Sequence, residues 1–429
     1  MADAPPNPLP SEPHRFSIRL PRPLWIGAAV VILLGAGAGL RIGVPVYERA
    51  VAVQEIEALG GHVSSRRGAP DWMRDWIPYK WRDFTCDHVS LVQMSNSSAT
   101  DDTCRYIGSL PDLDYVELRE KPISDAGLMH LKGLTKLEFL GLDHTQISDA
   151  GLQCLAGLRD LEQLDLTGTM ITGTGLRYLE GLPKVQTLWL RDTELNDTGL
   201  EHVSHLSHLG QLSLDGTQVS NAGLPCLARL ADLMSLWLGR TRVSDAGLAG
   251  LRGLRGLDTL GIDGTQLTDA GLEHLKALPG LRALMLEGTD VTDECLARVS
   301  ALPRLEELYL VNTRLTDAGL ANLERLTSLE VLSLDGSPIS DAGLRHLKGL
   351  TKLRRLVLDG TRVSDEGLAE LTALSNLREL SCQGISVTDA GIAHLKGLTN
   401  LQRVFLFRTK ISDAGRDKLT RALPGATIF

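Results

Sequence analysis

Residues 137–160 read LEFLGLDHTQISDAGLQCLAGLRD, and this stretch decides the fold because the chain keeps repeating it. Stepping by 24 from Asp125 lands on Asp149, Gly173, Asp197, Asn221, Asp245, Asp269, Asp293, Asp317, Asp341, Asp365, Asp389 and Asp413. Eleven of these thirteen positions are Asp, and no insertion or deletion disturbs the step. The unit is L-x-x-L-x-L-x-x-T-x-[IVL]-[ST]-D-A-G-L-x-x-L-x-x-L-x-x, from Leu113 to Pro424. Its first part ends in a period-2 alternation and reads as a short strand with Leu140 and Leu142 facing inward. Thr145 and its equivalents close the strand, with stacked hydroxyls expected to bond the backbone of the neighbouring turn. The Asp reads as the N-cap of a short helix, a role that Gly173 and Asn221 also fill. Gly151 and its equivalents imply either a close backbone approach or an unusual φ. One unit cannot bury its apolar positions alone, whereas stacked units share a continuous core.

The run L-x-x-L-x-L-x-x-T resembles the leucine-rich repeat signature. That resemblance implies an α/β solenoid, a curved horseshoe with a parallel sheet on the concave face and short helices on the convex face. At roughly 4.8 Å per strand, thirteen turns span about 60 Å along the sheet. Val89, Val92 and Met94 sit 24 before Leu113, Val116 and Leu118, so 89–112 reads as a degenerate first repeat ahead of the thirteen in 113–424. Ile428 keeps the register, and 425–429 reads as a closing half-turn.

The N-terminal fifth is different. Residues 1–22 are Pro-rich and read as a disordered cytoplasmic tail. Residues 23–40 carry no charge, and their helical length approaches the hydrocarbon thickness. Arg41 interrupts and Ile42 to Tyr47 continue, which predicts a transmembrane helix, a signal anchor, over 23–47. Arg15, Arg19 and Arg22 precede it and place the repeats on the extracytoplasmic side. The alternative is a secretory signal cleaved at Ala36-Gly37-Ala38, which would release a secreted protein. Gly35, Gly39 and Gly43 form overlapping GxxxG motifs that permit a homodimer. In 48–88, Val51, Val53, Ile56 and Leu59 predict a short helix ending at Gly60-Gly61. Trp72, Trp76 and Trp81 follow within ten residues, as an N-terminal cap or a membrane-surface contact.

An apolar segment, then A-V-x-x-I-E-x-L-G-G (Ala52 to Gly61), then P-x-W-M-R (Pro70 to Arg74), then the repeats, resembles the membrane-anchored leucine-rich repeat proteins of planctomycete bacteria. The repeats are also similar to those of F-box leucine-rich repeat adaptors of ubiquitin ligases. No F-box-like segment precedes them here, and a membrane segment stands in its place, which disfavours the adaptor reading.

Lys and Arg number 44 against 53 Asp and Glu, a net charge of −9, which argues against nucleic acid as a partner. Walker A, H-E-x-x-H, G-x-S-x-G and C-x-x-C motifs are absent, so no enzyme and no cofactor is expected. His202, His205 and His208 read as solvated helix surface rather than a metal site. The Asp column reads as caps rather than calcium ligands. Cys86 and Cys104 lie in adjacent turns, and a bridge between them is open in an oxidising compartment. Cys154, Cys226, Cys295 and Cys382 read as buried thiols.

What the repeat does not need is the outward strand column. Trp189, Trp237, Met285 and Tyr309 fall there, flanked by Asp215, Asp263 and Glu287. Large apolar groups at outward positions point to a contact site. The expected function is a membrane-anchored protein-binding module with a protein partner, a basic one by charge. The rival is an envelope scaffold or spacer without a dedicated ligand.

Overall fold

The computed structural model describes residues 36–67, 87–95 and 97–429. Each turn contributes a strand whose middle residue is an apolar side chain aimed into the core. Among the described residues sixteen strands form one sheet in chain order, from β1 (His62–Arg67), β2 (Asp87–Gln93) and β3 (Tyr115–Glu117) to β16 (Thr427–Ile428). β1 and β2 run antiparallel, and the later neighbours run parallel with partners 24 residues apart, as in Val116↔Leu140 and Leu332↔Leu356. The other side of each turn is a short helical segment, of α type at Asp125–Leu128 and Asp197–Val203 and of 3-10 type at Gly151–Leu155. The repeat leucines between the two layers form one continuous core; Leu140, Leu142, Leu152, Leu155 and Leu158 are all 0 % exposed.

The repeat Asp does not cap its own helix. The N-cap is the Ser or Thr before it: Ser124 has extended backbone and accepts the Ala126 amide at 3.2 Å. Asp125 instead reaches the next turn. Its Oδ1 accepts the Ser148 amide at 2.8 Å and its Oδ2 accepts the Ser148 hydroxyl at 2.6 Å. The same rung joins twelve of the thirteen junctions between Asp101 and Ser412. At Asn221 an amide replaces the carboxylate: Oδ1 accepts the Ser244 amide and Nδ2 donates to the Ser244 hydroxyl. The broken junction is at Gly173. There the facing residue is Asn196, which turns back to cap its own helix through the Thr198 and Gly199 amides. The glycine question resolves as close approach: a Cβ on Gly151 would lie 2.3 Å from Asp125 Oδ1. Cys295 occupies the equivalent place while Asp269 still bonds Thr292 at 2.9 Å, so glycine is favoured there rather than obligatory. The threonines also differ from expectation. Thr145 Oγ1 donates to Leu142 O in its own turn at 2.6 Å, and the same bond recurs at Thr169 and Thr193.

A second column carries strain. The residue just before each of these threonines, or before Lys121 in the first full repeat, has φ near +60°, at glycines such as Gly216 and Gly360 but also at Glu120, His144, Asp192, Arg240, Asn312 and Arg408. The turn aims that residue's amide at the next repeat: Glu120 N donates to Asp143 O at 2.8 Å. A side chain in this region costs about 1–2 kcal/mol, and glycine loses about 0.5–1 kcal/mol of chain entropy. Glu120→Gly is therefore expected to stabilise the protein by about 0.5 kcal/mol. A denaturation midpoint equal to or below the parent's would contradict this.

At the N-terminal end, α1 (Ala36–Ala58) packs on α2 (Asp101–Gly108) and β1. Ala52, Val53 and Ile56 are buried in the core, and Val51 and Leu59 are half-buried. The helix runs unbroken across Tyr47–Glu48, where the sequence reading placed a boundary. Gly60 at φ +86° ends the turn that follows. At the other end α3 (Asp413–Ala422) buries Leu419, and Leu423 follows it into the core. Residues 1–35, including Gly35 and most of the apolar segment, lie outside the described residues, as do the Trp-rich stretch and Cys86. Among the described residues no helix is long and apolar enough to cross a membrane.

Candidate binding face

The strands end on the outward column, and the sheet pairing places its members side by side. Trp189 pairs with Ser213, Ser213 with Trp237, and Trp237 with Gly261. Gly261 then pairs with Met285, and Met285 with Tyr309. Trp189 and Trp237 are thus two strands apart, about 10 Å. All four large side chains are half-buried rather than fully exposed. A Cβ on Gly261 would come within 2.8 Å of Trp237 Cδ1, so the indole leans over the neighbouring strand. The small residue at 261 makes that pose possible. Tyr309 donates its hydroxyl to Glu307 at 3.0 Å, and burial with the nearby Glu307 charge pushes its pKa up to about 12.

The acidic residues beside this ridge have structural work that the sequence reading missed. Asp215 Oδ1 accepts the Gly239 amide at 2.7 Å, and its Oδ2 accepts the Ser213 hydroxyl at 3.0 Å. Asp263 Oδ1 accepts the Glu287 amide at 3.0 Å. Asp359 takes the Gln383 amide at 2.7 Å and the Ser381 hydroxyl at 2.7 Å. They form a second carboxylate column, on the sheet side, again joining one turn to the next. The signal was in the sequence: an acid recurs two residues after the strand end at 143, 215, 263, 287, 335 and 359.

Toward both ends of the sheet, Arg side chains neutralise the carboxylates. Arg119 lies 3.2 Å from Asp143, and Arg355 and Arg403 both pair with Glu379. The middle is different. Among the described residues Asp215, Asp263, Glu287, Asp335 and Asp359 form no ion pair. Burial, then repulsion from Asp215, raises the Asp263 pKa. Burial, then Asp263 and Asp335, raises Glu287. Burial, then Asp359, pushes Asp335 up to about 6, and its Oδ1 is buried with no hydrogen-bond partner.

Asp335 thus has a folded-state pKa above its unfolded value of about 3.9. Its contribution to stability is fully present below about pH 4 and is lost as pH rises through about 6. Asp335→Asn is expected to raise the melting temperature at pH 7.5 and to change it little at pH 4. Equal shifts at the two pH values would contradict the assignment.

Aromatic stacks border the face at each end, Tyr115 on Phe139 (centroids 4.3 Å apart) and Phe405 on Phe429 (4.7 Å). Phe407, two residues beyond Phe405 and 47 % exposed, was not singled out from sequence. On the helical side His202 and His205 approach the Glu180 carboxylate at 2.7 and 3.5 Å, while His208 turns to Asp232 at 3.3 Å. Among the described residues no group of three or more His, Cys, Asp or Glu is arranged to hold a metal ion. Cys104, Cys295 and Cys382 are buried. Cys154 and Cys226 are only half-buried, contrary to expectation, because they sit on the outer side of the helical turns. Burial pushes the Cys104 thiol up to about 12, with the Asp101 charge adding to it.

Residues 303–363 and 133–156 match the leucine-rich repeat family in two of its forms. Among solved structures the chain is similar to an internalin (inlF) from Listeria monocytogenes, with 23 % identity over 75 % of this chain and 90 % of that one, and a TM-score of 0.56. It is also similar to a leucine-rich repeat protein of Leptospira interrogans, with 20 % identity over 76 % of this chain and 80 % of that one, and a TM-score of 0.53. No match was found among curated proteins. At these identities the likeness speaks to the fold alone: a repeating strand-and-helix solenoid.

Proposed function

We propose that this leucine-rich repeat chain is a membrane-anchored module that binds a protein partner on the sheet face. The observation that carries the reading is the ridge of Trp189, Trp237, Met285 and Tyr309, which the repeat core does not require. Aromatic anchors rimmed by charge are the usual make-up of a binding hot spot. The uncompensated acids beside it favour a basic partner, because Lys or Arg side chains would relieve their mutual repulsion. A photo-crosslinking residue at Trp189 should capture the partner in intact cells, whereas the same residue at Arg345 on the helical face should not. Capture from Arg345 alone would move the site to the helices.

The anchor is the apolar stretch 23–47, and Arg15, Arg19 and Arg22 before it set the orientation. Protease added to spheroplasts is expected to remove the repeats. Full protection of the solenoid, with cleavage restored on lysis, would refute that topology.

A further inference from the structure

Given that anchor, we infer that the first turn of the solenoid is seated at the lipid headgroups, with Tyr47, Arg105 and Tyr106 contacting the bilayer surface. Tyr47 closes the apolar stretch, so it lies at the interface. Five residues further on, Ala52 is 1 % exposed, and Val53 and Ile56 follow it into the core. At 1.5 Å per residue that is about 7.5 Å of helix. Pro45 removes one helix hydrogen bond, but on the membrane side of Tyr47. No loop intervenes between Tyr47 and the core, since α1 is one helix to Ala58. Arg49, 3.4 Å from Asp112, further ties this helix to the first turns.

What lies beside Tyr47 must therefore share its depth. A groove of about 610 Å³ between α1 and α2 is lined by Tyr47, Glu48, Val51, Asp102, Arg105 and Tyr106. Tyr47 is 54 % exposed, Arg105 is exposed, and Tyr106 is half-buried. Tyr rings concentrate at membrane interfaces because one end is apolar and the other wet. The charges in the groove have both signs. Arg105 suits a lipid phosphate, and Glu48 with Asp102 suits an ammonium, so the geometry fits a zwitterionic headgroup such as phosphatidylethanolamine better than a purely anionic one.

The inference rests on the anchor reading, and the test separates the two. The full chain is reconstituted into vesicles of phosphatidylethanolamine and phosphatidylglycerol, with p-benzoylphenylalanine replacing Tyr47, Tyr106 or Phe429 in turn. Flotation after carbonate washing reports the anchor, and lipid adducts found by mass spectrometry report contact. We expect flotation of all three proteins, with adducts at Tyr47 and Tyr106, mainly of phosphatidylethanolamine, and none above background at Phe429. Adducts at Tyr47 without any at Tyr106 would overturn the headgroup seat and keep the anchor. Equal adducts at Tyr106 and Phe429 would overturn it too, by showing contact unrelated to the groove. Failure to float would sink both. Adducts at Tyr106 that carry only phosphatidylglycerol would overturn the zwitterionic preference.

Discussion

Replacing Asp341 by Ala is expected to destabilise the array by about 3 kcal/mol, the low end for two charge-assisted bonds of about 1.5–3 kcal/mol each, since the site is half-buried. Both carboxylate oxygens are used, Oδ1 by the Ser364 amide at 2.7 Å and Oδ2 by the Ser364 hydroxyl at 2.6 Å. Alanine leaves both Ser364 donors, the amide and the hydroxyl, without their partner. Asn is expected to cost only about 1 kcal/mol, because it retains two bonds that are now neutral. The protein already uses that substitution between Asn221 and Ser244. Long repeat arrays need not unfold in one step, so the measurement is amide exchange in the turns on either side of the junction as well as a urea midpoint. If Ala and Asn at 341 gave the same loss, the rung would carry no weight.

Trp189→Ser combined with Trp237→Ser is expected to leave the fold intact and to weaken the partner by more than about 2 kcal/mol, roughly thirty-fold in affinity. Neither indole belongs to the core. Both stand on the outer side of strands whose middle residues, Leu188 and Leu236, are 0 % exposed. Circular dichroism should show an unchanged array, and titration of the captured partner would report the loss. An unchanged affinity would remove this face from consideration. The contribution of the indoles to shielding the sheet is separable, because it appears as stability and not as affinity.

The repeat made the solenoid legible. A 24-residue period with Leu at fixed offsets leaves one way to bury the leucines, and the strand pairing at Val116↔Leu140 follows it without a slip. The role of the Asp was not legible, because a residue before a helix is indistinguishable by position from a cap. Only the stacking of turns brings Asp125 beside Ser148, a residue 23 places away. One clue was available: the turn that loses its Asp at Gly173 faces the turn that has Asn196 where Ser or Thr is usual. The outward column was legible as a position. Its electrostatics were not, since the rise at Asp335 depends on burial and on a neighbour one turn away. The unbroken passage of α1 across residue 47 was also hidden, because periodicity alone does not tell one helix from two that abut.

Turns stacked in a row carry a load in series, so tension along the array is borne equally at every junction and yields at the one that lacks its rung. That junction is Gly173 against Asn196. No side chain crosses it at the rung position, and Gly173 and Gly199 meet there almost backbone to backbone, a Cβ on Gly199 falling 2.5 Å from the Gly173 Cα. Pulling on the C-terminus against a fixed N-terminal end would part the stack after its fifth strand, Gln163–Asp165, and before its sixth, Thr187–Trp189. The tear would start beside the first tryptophan of the ridge, separating a short segment that stays with the fixed end from a long one that leaves with whatever is bound.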